Sequence, residues 1–135
     1  MKTIITLAFL VVFPGIYIIP VKPPTPNPAS LYARFMGYKS EIRTNASGEY
    51  GVCTFPDGSE CEEWAFFRGL CGKKFSYCAL KGCETGNVQT KGLSYCVCIC
   101  SDSLGKKDSV RLDIFMEKHG DTLIPNRNKH ITGLN

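Results

Sequence analysis

The sequence contains no C-x-x-C pair, no glycine-rich phosphate loop and only two histidines, His119 and His130. Each absence removes a class of chemistry. Zinc sites favour cysteines paired at that short spacing, so cysteines without it point away from metal. Without a phosphate loop there is no backbone cradle for a nucleotide. Both histidines lie in the C-terminal tail, away from any plausible serine or thiol partner, so no nucleophile–base pair is evident. Glu62 and Glu63 are adjacent. Neighbours on a helix point about 100° apart and cannot flank one bond as a carboxylate pair. No long amphipathic stretch is evident to insert into a bilayer. The chain is therefore expected to be non-enzymatic, with no catalytic residues, no cofactor and no metal.

What the chain does have is cysteine. Eight occur in 135 residues, six of them from Cys71 to Cys100. An even count in a short chain, behind an apolar N-terminus, reads as a disulfide framework made in an oxidising compartment. Four bridges are expected among Cys53, Cys61, Cys71, Cys78, Cys83, Cys96, Cys98 and Cys100. Residues 1–20 hold one positive charge and then an apolar run, the layout of a secretory signal. The run is also near the lower length limit for a bilayer span, so a retained anchor is the alternative. Residues 21–27 are a proline-rich, extended linker. The expected product is secreted and monomeric, or else membrane-anchored by the N-terminal segment.

The middle of the chain is organised around residues 50–69. Tyr50, Val52 and Thr54 alternate at a strand's period. Phe55-Pro56-Asp57-Gly58 has the sequence of a type I turn. Ser59 and Glu62 have capping-box spacing and predict a helix that starts there and closes at Gly69. Upstream, Asn27-Pro28 opens a helix with an apolar face of Leu31, Tyr32, Phe35 and Met36, closed by Gly37. Tyr38, Ser40, Ile42 and Thr44 follow at strand spacing, and Asn45-Ala46-Ser47-Gly48 turns the chain back. The resulting fold class is small disulfide-rich α+β: a helix–hairpin–helix core over 28–71, then a cysteine-rich β segment over 72–100. Trp64 is expected to anchor that core, with Tyr32, Phe35, Phe66 and Phe67 around it. Asn45-Ala46-Ser47 is also a glycosylation sequon, relevant only in a eukaryotic secretory pathway.

The stretches Asn27-Pro28-Ala29-Ser30-Leu31-Tyr32, Glu41-Ile42-Arg43-Thr44, Tyr50-Gly51-Val52-Cys53, Phe55-Pro56-Asp57-Gly58-Ser59-Glu60-Cys61-Glu62-Glu63-Trp64-Ala65 and Arg68-Gly69-Leu70-Cys71 resemble a small secreted prokaryotic domain. It is the domain of unknown function 333, often labelled a hemolysin. The resemblance covers about 27–71. It implies a secreted binding module of unknown ligand and brings no catalytic residues with it. One departure matters: members often carry a cysteine where this chain has Ala33. That implies that the usual partner of that cysteine pairs elsewhere here, or that the downstream cysteines have taken over.

Residues 72–100 lie beyond the resemblance. A strand over 93–100 puts Cys96, Cys98 and Cys100 on one face. Cysteines two apart on a strand are badly placed to bridge each other. Each is expected to reach one of Cys53, Cys61, Cys71, Cys78 and Cys83, with the pairing open. This half resembles the cysteine-stabilised helix–strand scaffold of defensins and scorpion toxins, which also end in Cys-x-Cys. It departs from that scaffold in the spacing of Cys78 and Cys83. Residues 101–135 form a polar C-terminal tail in which 108–119 is a helix, or a strand by the alternation of Val110, Leu112 and Ile114. Gly105-Lys106-Lys107 also has the form of a dibasic, amidating cleavage site, which would make 108–135 a propeptide.

Charge is segregated. Arg68, Lys73, Lys74, Lys81 and Lys91 face only Glu84 between 68 and 91, in a chain of net charge +4. These five form a candidate patch for an anionic partner: a membrane surface, a polysaccharide or a membrane protein. Nucleic acid is not expected outside the cell. Three functions stay open: a hemolysin-like binding module, a toxin or host-defence polypeptide acting on membranes or channels, and a protease inhibitor with Lys73-Lys74 as bait.

Overall fold

The computed structural model describes residues 26–123. The expected signal or anchor, most of the linker, His130 and the end of the tail lie outside the described residues. The first half holds α1 (Pro28–Phe35), β1 (Lys39–Asn45), β2 (Gly48–Thr54), β3 (Glu60–Glu62) and α2 (Glu63–Phe67). The second holds a short 3-10 turn at Lys73–Phe75, α3 (Tyr77–Leu80), β4 (Glu84–Thr90), β5 (Leu93–Ser101), β6 (Lys107–Arg111) and α4 (Leu112–Lys118). The strands make two three-stranded antiparallel sheets, ordered β1-β2-β3 and β4-β5-β6.

The first helix and hairpin form as their residues predict. Asn27 Oδ1 accepts the Ala29 amide at 3.0 Å, and Pro28 sits in the first turn. The inward stripe of α1 is Ala29, Tyr32 and Ala33, a spacing of three and four that returns to one face. Phe35, expected inside, is exposed. Asn45 pairs with Gly48 across a two-residue turn, and the register runs to Lys39 opposite Thr54.

The expected helix–hairpin–helix core does not form. Residues 60–62 extend and pair with β2, Cys61 opposite Cys53, so that a third strand stands where a helix was expected to begin. The Ser59 capping box fails for a local reason. The Phe55–Gly58 turn closes as read, with the Gly58 amide donating to Phe55 O at 2.9 Å. Ser59 then donates its amide and hydroxyl back to Asp57 Oδ1, at 3.0 and 2.5 Å. Glu62 is the actual cap: its carboxylate accepts the Trp64 and Ala65 amides, both at 2.9 Å. The helix is left with five residues, and Trp64 faces away from its buried residues Glu63 and Phe66. Trp64 is therefore half-buried, against Phe67 and beneath the Arg68 guanidinium. Phe66 and Tyr32, whose rings stand 5.0 Å apart, hold the centre instead.

The second half is also corrected. It is not a plain β segment, because the 3-10 turn and α3 precede the strands. The stretch 108–119 divides between strand and helix: Val110 lies in β6, and α4 begins at Leu112. Leu112, Phe115 and Met116 are buried in the common core, and Tyr77 Oη donates to Asp121 Oδ2 at 2.5 Å. Residues 108–121 thus belong to the fold, which argues against their being a discarded propeptide. One core joins the sheets. Tyr32 Oη accepts the Tyr77 amide at 2.9 Å, and Tyr38 Oη donates to Phe75 O at 2.7 Å. At Gly69, φ is +74°, and a Cβ would press on Gly86 O of the second sheet at 2.7 Å and on Cys96 Sγ at 3.1 Å. Only glycine lets the end of α2 approach the second sheet there.

Six cysteines pair as Cys61–Cys71, Cys78–Cys98 and Cys83–Cys100. The expectation of four bridges is corrected to three, with Cys53 and Cys96 buried as free thiols. Cys98 reaches Cys78 in α3, and Cys100 reaches Cys83, three residues past the helix, so that helix and strand are stapled together. Cys96 does not reach a partner. It is closed in under Gly69, and burial pushes its thiol up to about 12.

Candidate interaction surface

Three groups of chemistry-bearing side chains stand out, and the first is at Glu63. This carboxylate is buried at the start of α2. It accepts the Ser30 hydroxyl of α1 at 2.6 Å and the Ser40 hydroxyl of β1. Gly51 of β2 lies directly over it, and any Cβ there would overlap the carboxylate. One charged group thus ties α1, β1, β2 and α2. A buried carboxylate is tolerable when hydrogen bonds compensate its lost hydration. Setting Glu62 and Glu63 aside as helix neighbours that cannot flank one bond missed this. The available signal was a glycine in the middle of a strand, which marks a close approach.

The second group is the two thiols. Cys53 stands opposite Cys61 in the sheet. Burial, and then the Glu63 and Glu62 charges, push its thiol up to about 11. Protonated, enclosed thiols are poor nucleophiles. This geometry suits packing rather than catalysis. Among the described residues no group of His, Cys, Asp and Glu is placed to hold a metal ion.

The third group is the basic set. Lys73 and Lys74 lie in the 3-10 turn and border an open depression with Ala79, Cys83, Glu84 and Thr85. Lys81 ends α3, its Nζ 5.1 Å over the Tyr77 ring. Lys91 sits at the far end of β4, in the β4–β5 turn. A seven-residue strand separates it from the others by roughly 20 Å. Arg68 caps α2 and is half-buried on Trp64. The five cations therefore divide: Lys73 and Lys74 precede α3 and share one depression, Lys81 follows α3, and Arg68 and Lys91 lie apart. Two acids of the region are already engaged: Asp57 with Lys74 at 2.6 Å, and Glu84 with Lys107 at 2.8 Å. Lys74, with help from Ser59, holds the Asp57 carboxyl well below the usual carboxylate range. Among the described residues, Lys73, Lys81 and Lys91 are exposed and in no ion pair with a carboxylate. Lys73-Lys74 adopts a helical turn, not the extended form that a protease groove accepts. Asn45 is exposed at the hairpin turn, where its Oδ1 accepts the Ser47 amide at 2.7 Å.

Fold and surface define a small α+β protein built of two sheets and held by disulfides. Residues 25–70 match the family model described as a domain of unknown function, DUF333, and this segment carries that domain. It ends just before Cys71, so the second sheet lies outside the match. An uncharacterized protein of Archaeoglobus fulgidus is 33% identical over 88 residues, which is 64% of this chain and 42% of the relative. The chain thus spans less than half the length of that relative. No solved structure matches.

Proposed function

We propose that the protein is a non-enzymatic binding module of an oxidising, extracytoplasmic compartment, and that it engages an anionic surface through Lys73, Lys74 and Lys81. The observation that carries this reading is the placement of these cations around α3. The segment is fixed to β5 by Cys78–Cys98 and Cys83–Cys100; Glu84 is paired with Lys107 and Asp57 with Lys74, so Lys73 and Lys81 are the cations free of a carboxylate there. Charges on a stapled segment lose little conformational freedom on binding, so their attraction is not spent on ordering. Three disulfides are compatible with an oxidising location, and no helix among the described residues is long and apolar enough to cross a membrane.

Co-sedimentation tests the proposal. The protein is mixed with phosphatidylserine vesicles, with neutral phosphatidylcholine vesicles, and with an immobilised acidic polysaccharide. Binding to an anionic support is expected, falling as salt rises from about 50 to 300 mM and lost in Lys73→Glu/Lys81→Glu. Equal binding to neutral vesicles, or no binding to either anionic support, refutes it.

A further inference from the structure

The strand β1 is an outer edge of its sheet, and most of its residues are exposed. Its backbone directions follow from the hairpin. A two-residue turn closes on a hydrogen-bonded pair, Asn45 with Gly48, and bonded and non-bonded pairs then alternate down the ladder. Asn45, Arg43, Glu41 and Lys39 therefore address β2, and the N–H and C=O groups of Ser40, Ile42 and Thr44 point to the open side. Among the described residues no hydrogen bond reaches those groups. Ile42 is 64% exposed on this edge.

We propose that β1 is a self-association edge: two copies of the chain pair their β1 strands antiparallel about a two-fold axis at Ile42. In that register each Ile42 faces the other, and each Ser40 faces Thr44 of the second copy. All are bonded positions, which use the outward backbone groups found open here. Glu41 then stands opposite Arg43 of the second copy, twice. These are non-bonded positions, where side chains come closest and opposite charges stabilise pairing.

The charges also choose the register. Sliding by one residue on each strand puts Glu41 opposite Glu41, or Arg43 opposite Arg43. A parallel in-register pairing does the same, and like charges directly opposite destabilise. Edge strands that avoid pairing carry charges, lysine above all, that set copies against each other. The sequence Glu41-Ile42-Arg43 is complementary to itself instead. Within one copy Arg43 also holds Glu60, at 2.7 Å. In the pair it keeps Glu60 and exchanges its own Glu41 for that of the second copy. One edge buries little area, so the dimer is weak, and the chain is monomeric when dilute.

The test is amide hydrogen exchange by NMR on the full chain across a concentration series, with sedimentation equilibrium on the same samples. Protection of the Ser40, Ile42 and Thr44 amides is expected to rise about tenfold or more as the dimer forms. Glu41→Arg and Arg43→Glu are each expected to weaken association at least about tenfold. Glu41 is exposed, and Arg43, half-buried, makes only surface ion pairs with Glu41 and Glu60, so the fold survives either change. The double exchange Glu41→Arg/Arg43→Glu is expected to restore association to within about threefold. Three results overturn the proposal: no concentration dependence, protection unchanged by dilution (the edge then being covered by the chain's own N-terminal segment), or a dimer indifferent to the charge reversals.

Discussion

Replacing Glu63 by alanine removes the acceptor of two hydroxyls at once. Hydrogen bonds to a charged group are worth roughly 1.5–3 kcal/mol each. Ser40 is exposed and Ser30 half-buried, so both can regain water, and the lower end of that range applies. Two bonds then give about 3 kcal/mol. For a domain of about 100 residues this is a fall in Tm on the order of 15 °C. The assay is thermal melting by circular dichroism, and Gly51 supplies an internal control. Gly51→Ala alone must displace the carboxylate, because its Cβ would occupy the same space. In the Glu63→Ala background that space is empty, and the same change is nearly neutral. The double mutant is thus expected to be more stable than the sum of the singles predicts, by more than about 1 kcal/mol. Additive effects, or a Glu63→Ala protein that melts within about 3 °C of wild type, would refute the reasoning.

Two further predictions concern the core. Cys53 and Cys96 have thiols raised from 9.0 to about 11 and about 12 in the folded state. The folded chain holds those protons where the unfolded chain has released them. Stability from this source is complete below pH 9 and is lost as pH rises through about 11–12; urea titrations at pH 8, 9 and 10 should show a midpoint that falls with pH. Phe66→Ala should cost about 3–5 kcal/mol as a fully buried aromatic, and Trp64→Ala clearly less, since Trp64 is half-exposed. Equal losses in chemical denaturation would contradict the packing.

Local chemistry was legible where one signal acted alone. Asn27-Pro28 capped α1, Gly37 stopped it, and Asn45–Gly48 set the hairpin register. It misled where a strand competed for the same residues. Ser59 and Glu62 have the spacing of a cap, but pairing of 60–62 with β2 takes those residues first. Similarly, 108–111 pairs with β5 before α4 can start. Both losses are tertiary, since the pairing partner is distant in sequence and local propensity cannot report it. The alternation of Cys96, Cys98 and Cys100 correctly put three thiols on one face. It could not show that the first would be sealed beneath Gly69. Of the candidate surface, the sequence offered Arg68, Lys73, Lys74, Lys81 and Lys91 as one patch, and the fold sets Arg68 on Trp64 and Lys91 at the far end of β4. The Glu63 node was hidden, because Ser30, Ser40 and Gly51 meet it only once four elements have packed.

Three disulfides staple the fold, and a thiol map of the native protein tests that most directly. Protein taken from its source compartment is alkylated before and after unfolding, then after reduction, and its peptides are assigned by mass spectrometry. The expected map has Cys61–Cys71, Cys78–Cys98 and Cys83–Cys100 linked. Cys53 and Cys96 are expected to be unreactive in the folded chain and to be labelled once it unfolds. Free Cys78, Cys83, Cys98 and Cys100 in the native protein, or a pairing that joins other partners, would contradict it.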